Sequence, residues 1–262
     1  GRVLEQMPYL FRRARGYAPE PVQLPGDLPP ILATGAELKN TFCLTNRNYA
    51  FLSHHIGDLE NYETLRSFEE GIQHYQRLFK VHPERIACDL HPNYLATRYA
   101  LERAQRENLP ILAIQHHHAH LAACLADNGW KSGEPVIGLC LDGTGYGSDG
   151  AVWGGEVLYG GYQGYQRLFH LKYAPLAGGD LSVRKPARMA LAHLWAAGLE
   201  WEADLPPVTD LCMEERTALR GQLQHHLNTP ATSSMGRLFD AASALMGIRQ
   251  TELLLADSNW LT

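Results

Sequence analysis

The chain has no run of about 18 apolar residues, so no segment reads as a membrane-crossing helix and no membrane partner is expected. Its five cysteines (Cys43, Cys88, Cys124, Cys140 and Cys212) are scattered and include no Cys-x-x-Cys pair. That argues against a disulfide framework and a thiolate zinc site. Basic residues are in no excess: 23 Lys+Arg stand against 28 Asp+Glu, a formal net charge of -5. A broad phosphate-neutralising surface, and with it nucleic acid as a partner, is therefore not expected. There is no Gly-x-Ser-x-Gly elbow and no Walker A loop. The first residues, Gly1-Arg2-Val3-Leu4-Glu5, offer neither an initiating Met nor a charged-then-apolar signal pattern. Together with the odd cysteine count, this leads us to expect a fragment of a longer, cytoplasmic polypeptide.

What is present is a folding chain. With 45% hydrophobic and 19% charged residues it can bury a sizeable core, and 262 residues suit one large domain or two small ones. Prolines cluster from Pro19 to Pro30 around Gly26, which predicts an extended linker and a domain boundary near residue 27. Apolar runs predict strands at 31–35, 42–52, 86–89, 111–114, 136–141 and 151–159. Helical spacing predicts helices over 62–81, 93–107, 116–127, 185–197, 213–226 and 236–246. The alternation argues an α/β fold. Cys88 and Cys140, inside apolar runs, read as small buried hydrophobes.

The chemistry-bearing patterns are few. Thirteen histidines are the surplus, and four of them fall in Gln115-His116-His117-His118-Ala119-His120. On a helix, residues four apart share a face, so His116 and His120 make a competent pair of nitrogen ligands for a divalent metal. His117 and His118 would face elsewhere, as secondary or substrate contacts. The spacing is that of a zincin, but the Glu that zincins need after the first His is His117 here, so peptide hydrolysis is disfavoured. Next, Leu141-Asp142-Gly143-Thr144-Gly145-Tyr146-Gly147 reads as a strand ending in an acid and then a glycine-rich turn. Such a turn lets backbone amides approach phosphate oxygens, and the carboxylate can hold a metal; a plain hairpin turn fits the same residues. Gly178-Gly179-Asp180 precedes a helix that Pro186 would start, and Ser233 or Ser234 would cap a helix carrying Gly236, Arg237 and Asp240. Lys39, after the first strand, could sit near phosphate. Ser53 to Asp58 and Asp89-Leu90-His91 place His beside acid, a pairing more often structural than ligating.

Taken in order, these motifs resemble the HypF family, the carbamoyltransferases that mature nickel–iron hydrogenases. The resemblance runs through Arg12 to Pro19, Gly35 to Thr41, His55 to Glu60, Asp89 to Tyr94, the histidine run, Asp142 to Glu156 and Ser233 to Gly247. It implies that residues 1–26 are the tail of a YrdC-like domain with its linker. Residues 27–262 would be a Kae1-like domain of the actin/Hsp70/sugar-kinase fold, built from two ribonuclease-H-like lobes. It also implies a reaction. Carbamoyl phosphate and ATP give carbamoyl-adenylate, and the carbamoyl group passes to the C-terminal cysteine of a HypE-type maturation protein to become a cyanide ligand of iron. On this resemblance His116, His120 and Asp142 are catalytic metal ligands, for iron or zinc. Lys39, Gly143, Thr144, Gly145, Gly179, Asp180, Gly236 and Asp240 line the ATP or carbamoyl-adenylate, which arrives with Mg. The family's ribose-contacting segment after Gly247, and a later metal-ligating Asp, have no counterpart between Ile248 and Thr262. The second lobe is therefore expected to be incomplete, and this polypeptide alone to bind nucleotide weakly and transfer nothing. Two other readings are an O-carbamoyltransferase acting on a small molecule and a non-catalytic module that binds a HypE-type protein.

Overall fold

The computed structural model describes residues 2–4, 7–9, 18 and 20–251. The expected family stretch Arg12 to Pro19, but for Ala18, and the segment after Thr251 lie outside the described residues. A short antiparallel pair, β1 (Arg2–Leu4) and β2 (Met7–Tyr9), opens the chain. The rest is α/β, with two five-stranded sheets. It divides into two compact units, residues up to 134 with 161–164, and residues 135–160 with 165 onward.

The first unit is built on a sheet of order β3 (Val22–Leu28), β5 (Cys43–Leu52), β4 (Ile31–Ala33), β6 (Arg85–Asp89) and β7 (Ile111–Ile114). β5 runs antiparallel to both β3 and β4, whereas β4, β6 and β7 run parallel. β3 corrects the sequence reading: the proline-rich stretch is no linker over 22–28, and residue 27 lies inside a strand. The reason is local. β3 is an edge strand, where a missing N–H is tolerated, and its register slips between Gln23 and Leu28, around Pro25-Gly26.

Three helices follow. α1 (Tyr62–Phe79) starts because Asn61 accepts the Thr64 N–H at 2.9 Å, and it stops at Lys80 in the left-handed conformation, φ 53°. Its Phe68, Ile72 and Tyr75 pack with Leu32, Phe42, Leu44 and Leu59 as the core. Phe42 meets Phe68 and Tyr75 edge to face, at 5.8 and 5.0 Å. α2 (Leu95–Glu107) packs Ala100 and Ala104 on Ile86 and Cys88. α3 (His116–Asp127) leaves directly from β7, its N-cap Gln115 accepting the His118 N–H at 3.0 Å.

The second unit holds β8 (Val136–Tyr146), β9 (Val152–Gly161), β10 (Gly164–His170), β11 (Ala174–Pro175) and β12 (Ala231–Thr232). β8 and β9 pair antiparallel, with an irregularity between Leu141 and Gly145. The strand expected to end at Leu141 thus continues to Tyr146, and the turn proper is 147–150, with Gly150 at φ 81°. Helices α4 (Asp180–Arg184), α5 (Pro186–Ala196), α6 (Pro206–Asp210), α7 (Met213–His225) and α8 (Met235–Leu245) complete it. Pro186 occupies the first turn of α5, as the sequence suggested. α5 is buried from Pro186 to Ala192; Ala187, Leu191 and Ala192 meet Leu219 and Leu223 of α7, and Met189 and Ala190 meet Ala241 and Ala244 of α8. No helix among the described residues is long and apolar enough to cross a membrane.

Candidate functional site

In the first unit, the carboxyl ends of β6 and β7 place Asp89 and His116 side by side. Asp89 pairs with Ile114 in the strand register, and α3 begins two residues on. His116 Nδ1 lies 2.7 Å from Asp89 Oδ2. The other ring nitrogen, Nε2, lies 3.2 Å from His120 Nε2. Two nitrogens bound tetrahedrally to one zinc-like ion at about 2.0–2.1 Å stand roughly 3.3–3.4 Å apart. That separation suits a shared divalent ion; without one, a ring N–H of one imidazole donates to the other. The rest of the run is not free for this work. His117 is fully buried on the inward stripe of α3 with Leu121 and Leu125, its Nδ1 3.3 Å from Gln115 Nε2. His118 Nε2 sits 2.8 Å from the Gly161 carbonyl. Of the two roles open to His117, the substrate contact is thereby excluded, because its side chain is a core group.

A pocket of about 410 Å³ opens beside the pair, lined by small residues (Ala33, Gly35, Ala87, Ala119) and by Asp89. Cys43 also lines it, and burial pushes its thiol up to about 12. Lys39 is not a lining residue; it is exposed in a left-handed turn, φ 51°, with its N–H bonded to Asp58 Oδ1 at 2.6 Å. Gly35, at φ 72°, holds the start of that turn.

The second unit assembles the other predicted residues around β8 and the start of α8. Asp142 Oδ1 accepts the Gly143 N–H at 2.6 Å. Ser234 caps α8 by accepting the Arg237 N–H at 3.1 Å, and its hydroxyl bonds the Asp142 and Gly143 carbonyls at 3.0 and 2.6 Å. Gly236 lies so close that a Cβ there would stand 2.8 Å from Gly143 Cα. Arg237 and Asp240, also on α8, form an ion pair at 2.9 Å. Thus Asp142, Gly143, Gly236 and Asp240 gather on two adjoining elements, while Thr144 and Gly145 continue β8. Gly179 and Asp180 open the short α4; their turn bonds instead to Asn228 and Leu176. The two histidines belong to the first unit and Asp142 to the second.

Sequence reasoning gave no role to Glu156, which is wholly buried. Its Oε1 takes the Gly154 and Gly155 N–H groups at 3.1 and 3.2 Å and the Ser233 hydroxyl, while Oε2 takes Arg167 Nε at 2.6 Å. Arg167 in turn lies 3.0 Å from Asp149 and 3.9 Å over the Trp153 ring. The only sequence signal was a carboxylate inside an otherwise apolar strand. Asp149 is pushed up by partial burial, but hydrogen bonds from Tyr173, Ala151 and Trp153 and the Arg167 charge outweigh that and hold it at about 2. Glu156 is likewise held low, its burial outweighed by Ser233, Arg167 and the two amides.

Both carboxylates have folded values below their ordinary ones, so their contribution is full above about pH 4–5 and lost as pH falls toward the folded values. We expect the denaturant midpoint to fall between pH 5 and about 2.5 by more than in an Asp149→Asn variant; equal losses in both would contradict the assignment. Gly154→Ala supplies a second check. Its Cβ would meet the Asp142 carbonyl oxygen at 2.5 Å and Ser234 Cα at 3.1 Å, both backbone. Overpacking of this kind costs about 1–3 kcal/mol, read as a lowered unfolding midpoint.

Two family profiles match in tandem: the HypF Kae1-like domain over residues 26–127, and the second subdomain of the carbamoyltransferase Kae1-like domain over 138–254. The chain belongs to the HypF family. HypF2 of Cupriavidus necator is 46% identical over 243 residues, covering 92% of this chain and 29% of that protein. HypF of Rhizobium leguminosarum bv. viciae is 46% identical over 248 residues, covering 95% of this chain and 32% of its own length. Both are carbamoyltransferases by name. The crystal structure of full-length HypF in the phosphate- and nucleotide-bound form superimposes with TM-score 0.84 at 43% identity, covering 92% of this chain and 31% of that one. The chain thus spans about a third of the length of its HypF relatives, and the two-sheet α/β fold is that of the solved HypF structures.

Proposed function

We propose that this chain carries the transfer half of a HypF reaction. Carbamoyl-adenylate, made from carbamoyl phosphate and ATP, gives its carbamoyl group to the C-terminal cysteine of a HypE-type maturation protein in the cytoplasm, forming the C–S bond as AMP and the thiol proton leave, for cyanide ligand synthesis. The observation that carries the reading is the His116–His120 pair, with ring nitrogens 3.2 Å apart in a chain of HypF descent.

In this reading His116 and His120 hold a divalent metal, iron or zinc, and Asp142 is the third ligand. Imidazole and carboxylate donors suit either ion. Such an ion would neutralise phosphate charge and polarise the carbamoyl carbonyl. The protein's own residues do the rest. Gly143, Thr144 and Gly145 bring backbone close to the phosphate, which is supported by the open space over Gly143, where a Cβ would have only Arg237 within 4 Å. Gly236 and Asp240, with Gly179 and Asp180, line the nucleotide, and Lys39 reaches toward phosphate. A full-length HypF relative has been crystallised in a phosphate- and nucleotide-bound form, which supports nucleotide use by the whole protein. Residues ahead of β3 would end a YrdC-like domain that makes the adenylate.

The test uses a complete HypF polypeptide carrying this segment, carbamoyl-adenylate and a HypE-type protein. Intact mass spectrometry should find one carbamoyl group on the terminal cysteine. Asp142→Asn should slow transfer by more than about 100-fold, as expected for loss of a charge-stabilising group in the transition state. Unslowed transfer would overturn the reading. Binding of the HypE-type protein without transfer in the wild type would mark a non-catalytic interaction module, and transfer to a small-molecule hydroxyl an O-carbamoyltransferase.

A further inference from the structure

Asp89 is not among the residues that the family resemblance assigns to the site, yet two hydrogen bonds hold its carboxylate beside His116. It ends β6 and is 8% exposed. Its Oδ1 accepts the His91 N–H at 2.8 Å, closing a tight turn two residues ahead. Its backbone carbonyl accepts the Thr97 hydroxyl at 3.2 Å. The carboxylate cannot rotate without breaking the His91 bond, and Oδ2 is left aimed at His116 Nδ1, 2.7 Å away.

An ionised carboxylate only accepts hydrogen bonds, so in this contact the imidazole Nδ1–H is the donor. With Nδ1 as the donor, it is Nε2 that carries the lone pair in the neutral ring. Nε2 is the atom that faces His120 Nε2. We infer that Asp89 is a positioning residue that fixes the tautomer and ring plane of His116, so that its Nε2 lone pair is presented for metal ligation. The inference rests on the metal reading of His116 and His120 and adds a member to it. Carboxylates that hold a ligating imidazole typically contribute 10–100-fold in metal affinity. Carrying Asp89 on a strand end, rather than on α3, ties the ligand pair to the sheet, so the helix cannot turn its face away.

The neighbourhood sharpens which substitution is informative. Asp89→Asn keeps the size and can keep the His91 bond through its carbonyl oxygen. Its amide then presents N–H groups toward His116 Nδ1, which favours the opposite tautomer and places the proton on Nε2. Asp89→Ala removes the constraint without imposing the wrong tautomer. Asp89→Asn should therefore bind metal no better than Asp89→Ala, although it is the gentler change in shape.

The test has two arms on the purified chain. First, titration with Co²⁺, followed by its visible absorption, should give about one ion per wild-type chain, with affinity lowered about 10–100-fold in both variants. Circular dichroism and the unfolding midpoint report whether the variants are folded. Second, metal-free protein with ¹⁵N-labelled histidine reports the His116 tautomer by NMR. The expected result is Nδ1–H in the wild type, a mixture in Asp89→Ala and a shift toward Nε2–H in Asp89→Asn. Unchanged Co²⁺ affinity in folded variants, or an unchanged tautomer, would overturn the inference. If wild-type chain binds no Co²⁺, the metal reading falls, while the tautomer result still decides whether Asp89 holds His116.

Discussion

Glu156→Ala is expected to cost about 3–5 kcal/mol, the range for breaking a buried ion pair from one side. For a protein of this size that lowers the unfolding midpoint by roughly 10 °C. The cost is large because one wholly buried carboxylate satisfies four donors at once: two backbone amides, the Ser233 hydroxyl and Arg167. Removing it takes the acceptor from both amides and the Ser233 hydroxyl, and takes from Arg167 one of its two carboxylate partners, the other being Asp149. Arg167 is the costliest of them, because a guanidinium cannot shed its charge. Glu156→Gln keeps an acceptor for the amides but loses the charge, so it should fall between wild type and Ala. Differential scanning calorimetry of the three proteins checks this; a drop below about 2 °C in Glu156→Ala would refute it. The damage should also reach the proposed nucleotide residues, since Ser233 precedes Ser234, whose hydroxyl holds the Asp142 and Gly143 carbonyls.

The second large effect is on metal. His116→Ala and His120→Ala should each lower divalent-metal affinity by more than about 100-fold, because each removes a nitrogen ligand outright rather than loosening one. Metal content after dialysis, measured by plasma emission spectrometry, should drop from about one equivalent to near zero. His117→Ala is the matched control. It lies in the same run but points into the core, so it should lower the unfolding midpoint and leave affinity within about threefold. Metal loss that followed His117 rather than His116 would show the helix face to be assigned wrongly.

These contrasts bear on what was legible in the sequence. Spacing alone chose His116 and His120 from a run of four, because residues four apart share a helix face whatever they pack against. It could not tell His117 from His118, since only tertiary packing decides which stripe of α3 is buried. Asp89 was visible only as an acid near a histidine, His91, in its own short segment. Its side-chain partner His116 is 27 residues on, brought there by the β6–β7 pairing. Most element boundaries fell within two or three residues, as at 62–79 and 186–196, where caps or proline mark the ends locally. The two larger misreadings, a linker through the prolines from Pro19 to Pro30 and a glycine-rich turn directly after Leu141, share one cause. Proline and glycine punctuate a chain locally, but an edge strand or a register slip absorbs them when a neighbouring strand supplies the hydrogen bonds.

The first of those misreadings has a practical side. β3 is the outer strand of its sheet, and it covers β5, ten residues long. Pro25 removes one backbone donor from β3, and a proline on an edge discourages pairing with a second molecule. A protein trimmed to begin at residue 27, at the proline-rich stretch, would leave β5 bare along much of its length. Long uncovered strands recruit other chains, so solubility rather than folding would be the first property to suffer.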